Sequence, residues 1–253
     1  MSIQTHKLAF GDVVDIGKIN DALKQLREKI AADAKDPAAM RVCTVNLAAF
    51  CRTPESRQEA LDVLSAIVVD HPGRMFLVDT EQAGEGEGSV DARVSVDGTA
   101  HAGFTPAYSE IIALHGKGRS VEHLPSILVS LLDPDQPAVA WWVDTPNFHE
   151  MWDRASRNAD RLIVDSAAMD PWDLMRLVEY VKSDTLESSS DDTAGLGDLN
   201  WARIKPFQAL CARFFDAPKV RESLANFETV TVLYNPSAPP ATAVGPAMLG
   251  AWV

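Results

Sequence analysis

The chain reads as an α/β protein: a mixed, mainly parallel sheet with helices on both faces and an antiparallel portion at its edge. Three observations predict it. Apolar runs of strand length alternate with stretches of helical period, the order of parallel crossover units. Residues 42 to 50 are almost continuously apolar, as suits a strand buried on both faces at the centre of a sheet. Val90, Ala92, Val94 and Val96 alternate with Asp91, Arg93, Ser95 and Asp97, which marks an antiparallel strand with one wet face near an edge.

The elements follow in order. Ile16, Ile19, Leu23, Leu26 and Ile30 repeat at helical spacing behind Asp15, a capping residue, so the chain opens on an amphipathic helix. After the strand at 42 to 50, Pro54 and Glu55 open a second helix, with Leu61, Leu64, Ile67 and Val68 on one side. His71, Pro72 and Gly73 stop it before the strand MFLVDT, which completes a crossover. Residues 81 to 89 place Glu81, Glu85 and Glu87 among glycines and read as a solvated turn. A strand over Ser109 to His115, broken by Gly116 and Gly118, precedes a helix containing Leu124, Ile127, Leu128, Leu131 and Leu132.

Asp133, Pro134, Asp135, Gln136 and Pro137 end that helix and lead into the strand AVAWWV. Phe148, Met151, Trp152 and Ala155 give a helical stripe, Arg161 to Val164 a strand, and Met169 to Val181 a further helix. Residues 184 to 198, rich in Ser, Asp and Gly, read as a variable loop. A helix marked by Trp201, Phe207, Leu210, Phe214 and Phe215 follows, and Phe227 to Tyr234 is expected to close the sheet as a strand. The organisation expected is an N-terminal helix within residues 1 to 40 packed on an α/β body of residues 41 to 235. Residues 236 to 253 form a tail whose PAMLGAWV starts a helix near Ala247.

The 253 residues, 46% hydrophobic, suffice for a sizeable core. With 23 Lys and Arg against 36 Asp and Glu, the net charge of -13 disfavours nucleic acid and anionic membranes. No apolar run approaches the length of a membrane span, and MSIQTHKLAF lacks the basic and apolar regions of a signal peptide, so a cytoplasmic location is expected. Cys43, Cys51 and Cys211 are too few and scattered for a disulfide scaffold; reduced, mostly buried thiols are the simpler reading, with a regulatory Cys43–Cys51 bridge as the alternative.

Tryptophan is the unusual feature. Trp141 and Trp142 are adjacent, so on a strand they face opposite sides: one can enter a core while the other meets a helix layer, a ligand or another protein. Neither supplies a nucleophile or a base. Motifs for dinucleotides, a P-loop, zinc proteases and the serine elbow are missing, and His6, His71, His101, His115, His123 and His149 show no metal-ligand spacing, so neither cofactor nor metal is expected.

Three constellations remain. Asp160, Arg161, Asp165 and Ser166 surround a strand, with Asp165 and Ser166 at its C-terminal end, where open α/β sheets bind ligands; helix capping, ion pairing, partner contact and catalysis all fit them. His71 with Arg74 suits an anion site or a structural turn. Asp198, Trp201 and Arg203 fit a helix cap with an ion pair, a recognition edge, or chemistry. The sequence shows no convergent basic groups of the kind that phosphate recognition recruits.

The runs LLDPDQPAVAWW (131 to 142), NADRLIVDS (158 to 166) and DLNWARIKPFQALCARFFD (198 to 216), with VNLAAF (45 to 50) and HPGRMFLV (71 to 78) before them, resemble the succession in the glucose-6-phosphate dehydrogenase assembly proteins, the OpcA family. The resemblance covers residues 41 to 253. It implies a non-catalytic assembly factor or allosteric activator that binds glucose-6-phosphate dehydrogenase and promotes its active oligomeric state in the oxidative pentose phosphate pathway. The family residues that carry over are Pro134, Asp135, Pro137, Trp141 and Trp142, then Asp160, Arg161, Asp165 and Ser166, then Asp198, Trp201, Arg203, Phe214, Phe215 and Asp216. Asp135, Trp142, Trp201 and Arg203 are the expected partner-binding residues.

The chain departs from the family pattern at Asp133-Pro134, where members usually have Leu-Pro, and at Phe207-Gln208, where they have Trp-Arg. Its final residues resemble a helix that in the family leads into a further domain. Two other functions stay open on the residues themselves. One is a sugar-phosphate hydrolase or isomerase with its site near Asp165 and Ser166; the other is a scaffolding subunit for a different protein.

Overall fold

The structure, a computed structural model, describes residues 10–34, 40–41, 43–83, 87–99, 107–146, 150–187, 194–223, 226, 228–233, 235 and 244–252. The chain forms two compact units, Met1–Leu162 with Asp192–Gly195, and Ile163–Asp191 with Leu196–Val253.

The first unit carries β1 (Val13–Val14), α1 (Ile19–Ala34), β2 (Met40–Arg41), β3 (Asn46–Cys51), α2 (Pro54–Asp70), β4 (Arg74–Ala83), β5 (Ser89–Thr99), β6 (Ala107–Gly118), α3 (Leu124–Leu131), β7 (Ala138–Trp142) and α4 (Glu150–Ser156). Its strand order is β1-β5-β6-β4-β3-β7, then the first half of β8 (Arg161–Val164), with β2 beside β6. Pairs β6–β4, β4–β3 and β3–β7 are parallel, and β1–β5 and β5–β6 are antiparallel. The predicted class therefore holds, with the antiparallel strands at one edge.

Register explains the layers. Asn46, Arg74 and Glu110 align across β3, β4 and β6, so every second residue after them faces the same way. On that face Glu110 receives Arg27 of α1, Gly116 meets Leu124 of α3, and Trp142 meets Trp152 of α4. On the other face Asp79 receives Arg57 of α2. Helices thus cover both sides, and β3 is buried at every position from Asn46 to Cys51, as its apolar run predicts. Thr53 caps α2 in a reciprocal pair with Ser56, and Asp15 accepts from the Gly17 N–H ahead of α1, whose Ile19 and Leu23 are fully buried.

The structure corrects several expected bounds. Cys43 precedes β3 instead of sharing its strand with Cys51. Gly116 does not break β6, which runs on to Gly118: a Cβ at Gly116 would come 2.8 Å from Leu124 Cδ1, so glycine lets the turn at Val121 and α3 pack over the strand. Gly118, at φ 55, makes the break. β4 continues through Glu81–Ala83, where a turn is expected; residues 84 to 86 of that acidic stretch lie outside the described residues.

Both tryptophans of the adjacent pair are core residues. Each is 5% exposed, and Trp142 stacks on Phe50 at 4.2 Å between ring centroids and meets Trp152 edge-on at 4.6 Å. Trp142, expected at a partner surface, is therefore hidden inside the first unit.

The second unit comprises the later half of β8, α5 (Pro171–Glu187), the later part of β9 (Gly195–Asp198), α6 (Leu199–Phe214), α7 (Pro218–Ser223) and α8 (Val244–Trp252). The expected loop at 184 to 198 is shorter, because α5 continues to Glu187 and β9 starts at Gly195. The expected strand at 227 to 234 is corrected too. Phe227 and Tyr234 lie outside the described residues, and residues 228–233 pair with no strand. Val230 is 54% and Leu233 90% exposed, so these side chains are not buried as those of a sheet strand would be. The last helix begins at Val244 rather than Ala247, and Val244 is buried.

Cys51 bears a testable consequence of the packing. Burial, with Asp79 adding to it, holds its thiol protonated and pushes its pKa from 9.0 up to about 12. That contribution to stability is intact below pH 9.0 and is lost as pH rises toward about 12. At pH 8 iodoacetamide should label Cys43 and Cys211, both partly exposed, while Cys51 reacts only after denaturation. Mass spectrometry of native and unfolded samples checks this, and early labelling of Cys51 would contradict it.

Candidate functional site

In an open parallel sheet, ligands bind outside the strand ends where neighbouring connections diverge. Here that point lies between β3, whose connection leads through α2 to β4, and β7, whose connection leads through α4 to β8. The chain fills it with its own groups. Asp144 Oδ2 accepts from the Arg52 N–H and from Ser56 Oγ, each at 2.7 Å, and Arg52 Nη2 donates to the Thr145 carbonyl. A carboxylate thus sits at the N-terminus of α2, where an anionic ligand would bind.

The first family-like block is held by a residue the sequence reading passed over. Asn46, 1% exposed, donates from Nδ2 to the carbonyls of Asp133 and Gln136 and accepts the Asp133 N–H on Oδ1. A polar residue starting an apolar strand was the available signal. Its clasp leaves Pro134, Asp135 and Pro137 exposed at the surface. Asp160 secures the same corner through its carboxylate, which accepts the Ala138 N–H at 2.6 Å, while Arg161 lies exposed beside Gly195. Arg74 is a buried structural residue rather than an anion site: it pairs with Glu110 and donates to the Leu131 carbonyl.

The second and third blocks meet within the second unit. Asp198 caps α6 through the Asn200 N–H, accepts the Ser166 N–H on the same oxygen, and accepts the Ser166 hydroxyl on the other at 2.7 Å. Asn200 Nδ2 donates back to Ser166 Oγ. Ser166 is 0% exposed, so its hydroxyl is a joint of the fold. Asp165 caps the short turn at Ser166–Ala168 and takes both Arg203 guanidinium nitrogens at 2.7 and 2.6 Å. Arg203 is half-exposed, and such a pair contributes about 0.2–1 kcal/mol.

Asp198→Ala should cost about 2–4 kcal/mol, combining the lost cap with the stranded Ser166 hydroxyl. Arg203→Ala should cost under about 1 kcal/mol. Urea titration of both variants checks the contrast, and equal losses would contradict it.

Trp201 is only partly exposed, and Phe215 packs edge-on to Phe214 at 5.1 Å. The open face of α6 is instead drawn by Phe207, Leu210 and Phe214, at 60%, 61% and 65% exposure, in line with Arg203 at helical spacing. On α5, Trp172 and Met175 are likewise exposed. Residues 199 to 223 carry five Lys and Arg against Asp216 and Glu222, in a chain of net charge -13. Arg203, paired with Asp165, thus adjoins the exposed apolar stripe of α6, a feature hidden in the sequence because an aromatic stripe at helical spacing looks like core.

Residues 64–178 match the family described as the glucose-6-phosphate dehydrogenase subunit N-terminal domain, and residues 194–253 match the corresponding C-terminal domain. The chain belongs to the OpcA family. Its OpcA relatives include that of Synechocystis sp., 28% identical over 49% of this chain and 25% of the relative. OpcA of Nostoc punctiforme is 31% identical over 51% and 27%, and OpcA of Synechococcus elongatus 26% identical over 51% and 28%. All three are named as OxPP cycle proteins. The match spans about a quarter of the length of these curated OpcA relatives. No solved structure matches the chain. The two OpcA matches contain the Asp133–Pro137 corner and the Asp198–Arg203 cap respectively.

Proposed function

We propose that this chain works by contact: it binds glucose-6-phosphate dehydrogenase in the cytoplasm and promotes its active oligomeric state, without turnover of its own. The observation that carries this reading is the exposed apolar face of α6, with Arg203 at its end, which falls inside the match to a glucose-6-phosphate dehydrogenase subunit domain. Contiguous exposed apolar groups rimmed by charge mark protein-binding surfaces. Two further features agree with it. The switch-point crevice is occupied by Asp144, and Ser166, the centre of the alternative hydrolase or isomerase site, is fully buried in the fold.

Of the four residues first expected to touch the partner, Asp135 and Arg203 stay exposed, Trp201 is partly so, and Trp142 gives way to Phe207, Leu210 and Phe214. The test mixes the chain with its cognate dehydrogenase on a sizing column, beside the double variant Phe207→Ser, Leu210→Ser. Coelution of the wild type and its loss in the variant at unchanged melting temperature support the reading. A wild type that never coelutes refutes it, and a variant that coelutes normally removes α6 from the contact.

A further inference from the structure

The first unit contains a cavity of about 360 Å³ that the contact function does not use. It lies on the α2 side of the sheet, toward the C-terminal ends of β4 and β6. Its origin is a size difference. Ala113 of β6 stands between Leu77 of β4 and Arg93 of β5 in the cross-strand register, and its short side chain leaves a hollow. Leu61 and Arg57, one turn apart on α2, and Phe10 wall it in.

Around this apolar floor the register brings together charges that are far apart in sequence. Asp79 and Asp91 both pair with His115 across their strands, and Ser89 pairs with Lys117. Asp79, 4% exposed, forms an ion pair with Arg57 at 2.7 Å through the same oxygen that contacts His115 Nδ1 at 2.8 Å. That contact orients the imidazole and directs Nε2 away from Asp79. Lys117 stands 3.4 Å from Asp91. Arg93 is exposed and has no ion-pair partner among the described residues. Basic groups that are scattered along the sequence converge here through folding.

We propose that this cavity binds a small organic carboxylate whose apolar body lies on Leu61, Leu77 and Ala113 and whose head group meets Arg93. The volume falls in the range of small-metabolite sites. Charge decides the head group. Arg57, Arg93 and Lys117 face Asp79 and Asp91, so these five side chains carry one surplus positive charge, that of the unpaired Arg93. A monoanion balances it, whereas a phosphate monoester, near two negative charges at neutral pH, leaves the rim overcharged beside two carboxylates. The arginine fork matches a carboxylate in geometry as well.

Phenylacetate, its neutral isostere phenylacetamide and inorganic phosphate are the probes, titrated into the whole chain by calorimetry. Phenylacetate should bind saturably and shift the NMR signals of Ala113 and His115; phenylacetamide and phosphate should bind roughly tenfold or more weakly, the worth of a charge-assisted hydrogen bond. Arg93→Ala should weaken phenylacetate by the same factor with no change in melting temperature, since the side chain is exposed and unpaired. Ala113→Leu should abolish binding by filling the hollow; if that variant unfolds, Arg93→Ala decides alone. The proposal is overturned by no saturable binding of phenylacetate, by equal or tighter binding of the amide or of phosphate, by NMR shifts elsewhere, or by unaltered affinity in Arg93→Ala. None of these readouts involves the dehydrogenase, so failure here leaves the contact function standing.

Discussion

Glu110→Ala should destabilise the chain by about 3–5 kcal/mol, because it strands a buried arginine. Glu110 is 1% exposed; its Oε2 receives Arg74 Nε at 2.7 Å and Nη2 at 2.6 Å, and its Oε1 receives Arg27 at 2.6 Å. Arg74 is 9% exposed, so without the carboxylate its charge faces the apolar layer beneath α1 and α3. Replacing both partners by apolar residues of similar volume removes the charges together and should recover much of the loss. Urea unfolding of Glu110→Ala beside the double variant Arg74→Met, Glu110→Leu measures this. A single variant within about 1 kcal/mol of wild type would show that the cluster is not a source of stability.

Trp152→Ala should cost a similar amount, about 3–5 kcal/mol, by leaving a cavity that α4 and β7 cannot close. Trp152 is 0% exposed and supports the Phe50–Trp142 stack from its edge. Any weakening of partner binding in this variant should follow the lost stability and disappear at temperatures where the variant remains folded. Binding lost by a fully folded variant would instead put the tryptophan cluster in the contact itself.

These two sites differ in how far the sequence discloses them. Period and order are local properties, so the crossover pattern, the wet-faced β5 and the caps at Asp15 and Asp198 could all be read directly. Pairing is not local. Nothing near Glu110 in the chain points to Arg27 or Arg74: the register of β4 and β6 brings it Arg74, and the packing of α1 on the sheet brings it Arg27. Asn46 was likewise hidden, because its three hydrogen bonds reach a turn 87 and more residues away.

Periodicity also misleads where burial fails. Phe207, Leu210 and Phe214 carry the stripe of a core helix yet face outward, and the apolar residues of 228–233 have strand composition without a neighbouring strand. An apolar pattern states which residues share a face; it does not state what covers that face. The Trp141–Trp142 pair left open whether its second ring meets a helix layer, a ligand or another protein, and the packing of Trp142 on Phe50 and on Trp152 of α4 is the helix layer.

The proposed action on the dehydrogenase can be measured by sedimentation velocity of the cognate glucose-6-phosphate dehydrogenase with and without this chain, with its kinetic constants determined on the same samples. A faster-sedimenting species containing both proteins and altered dehydrogenase kinetics are expected, with no turnover by the chain alone. Unchanged sedimentation and unchanged kinetics at saturating chain would contradict that action.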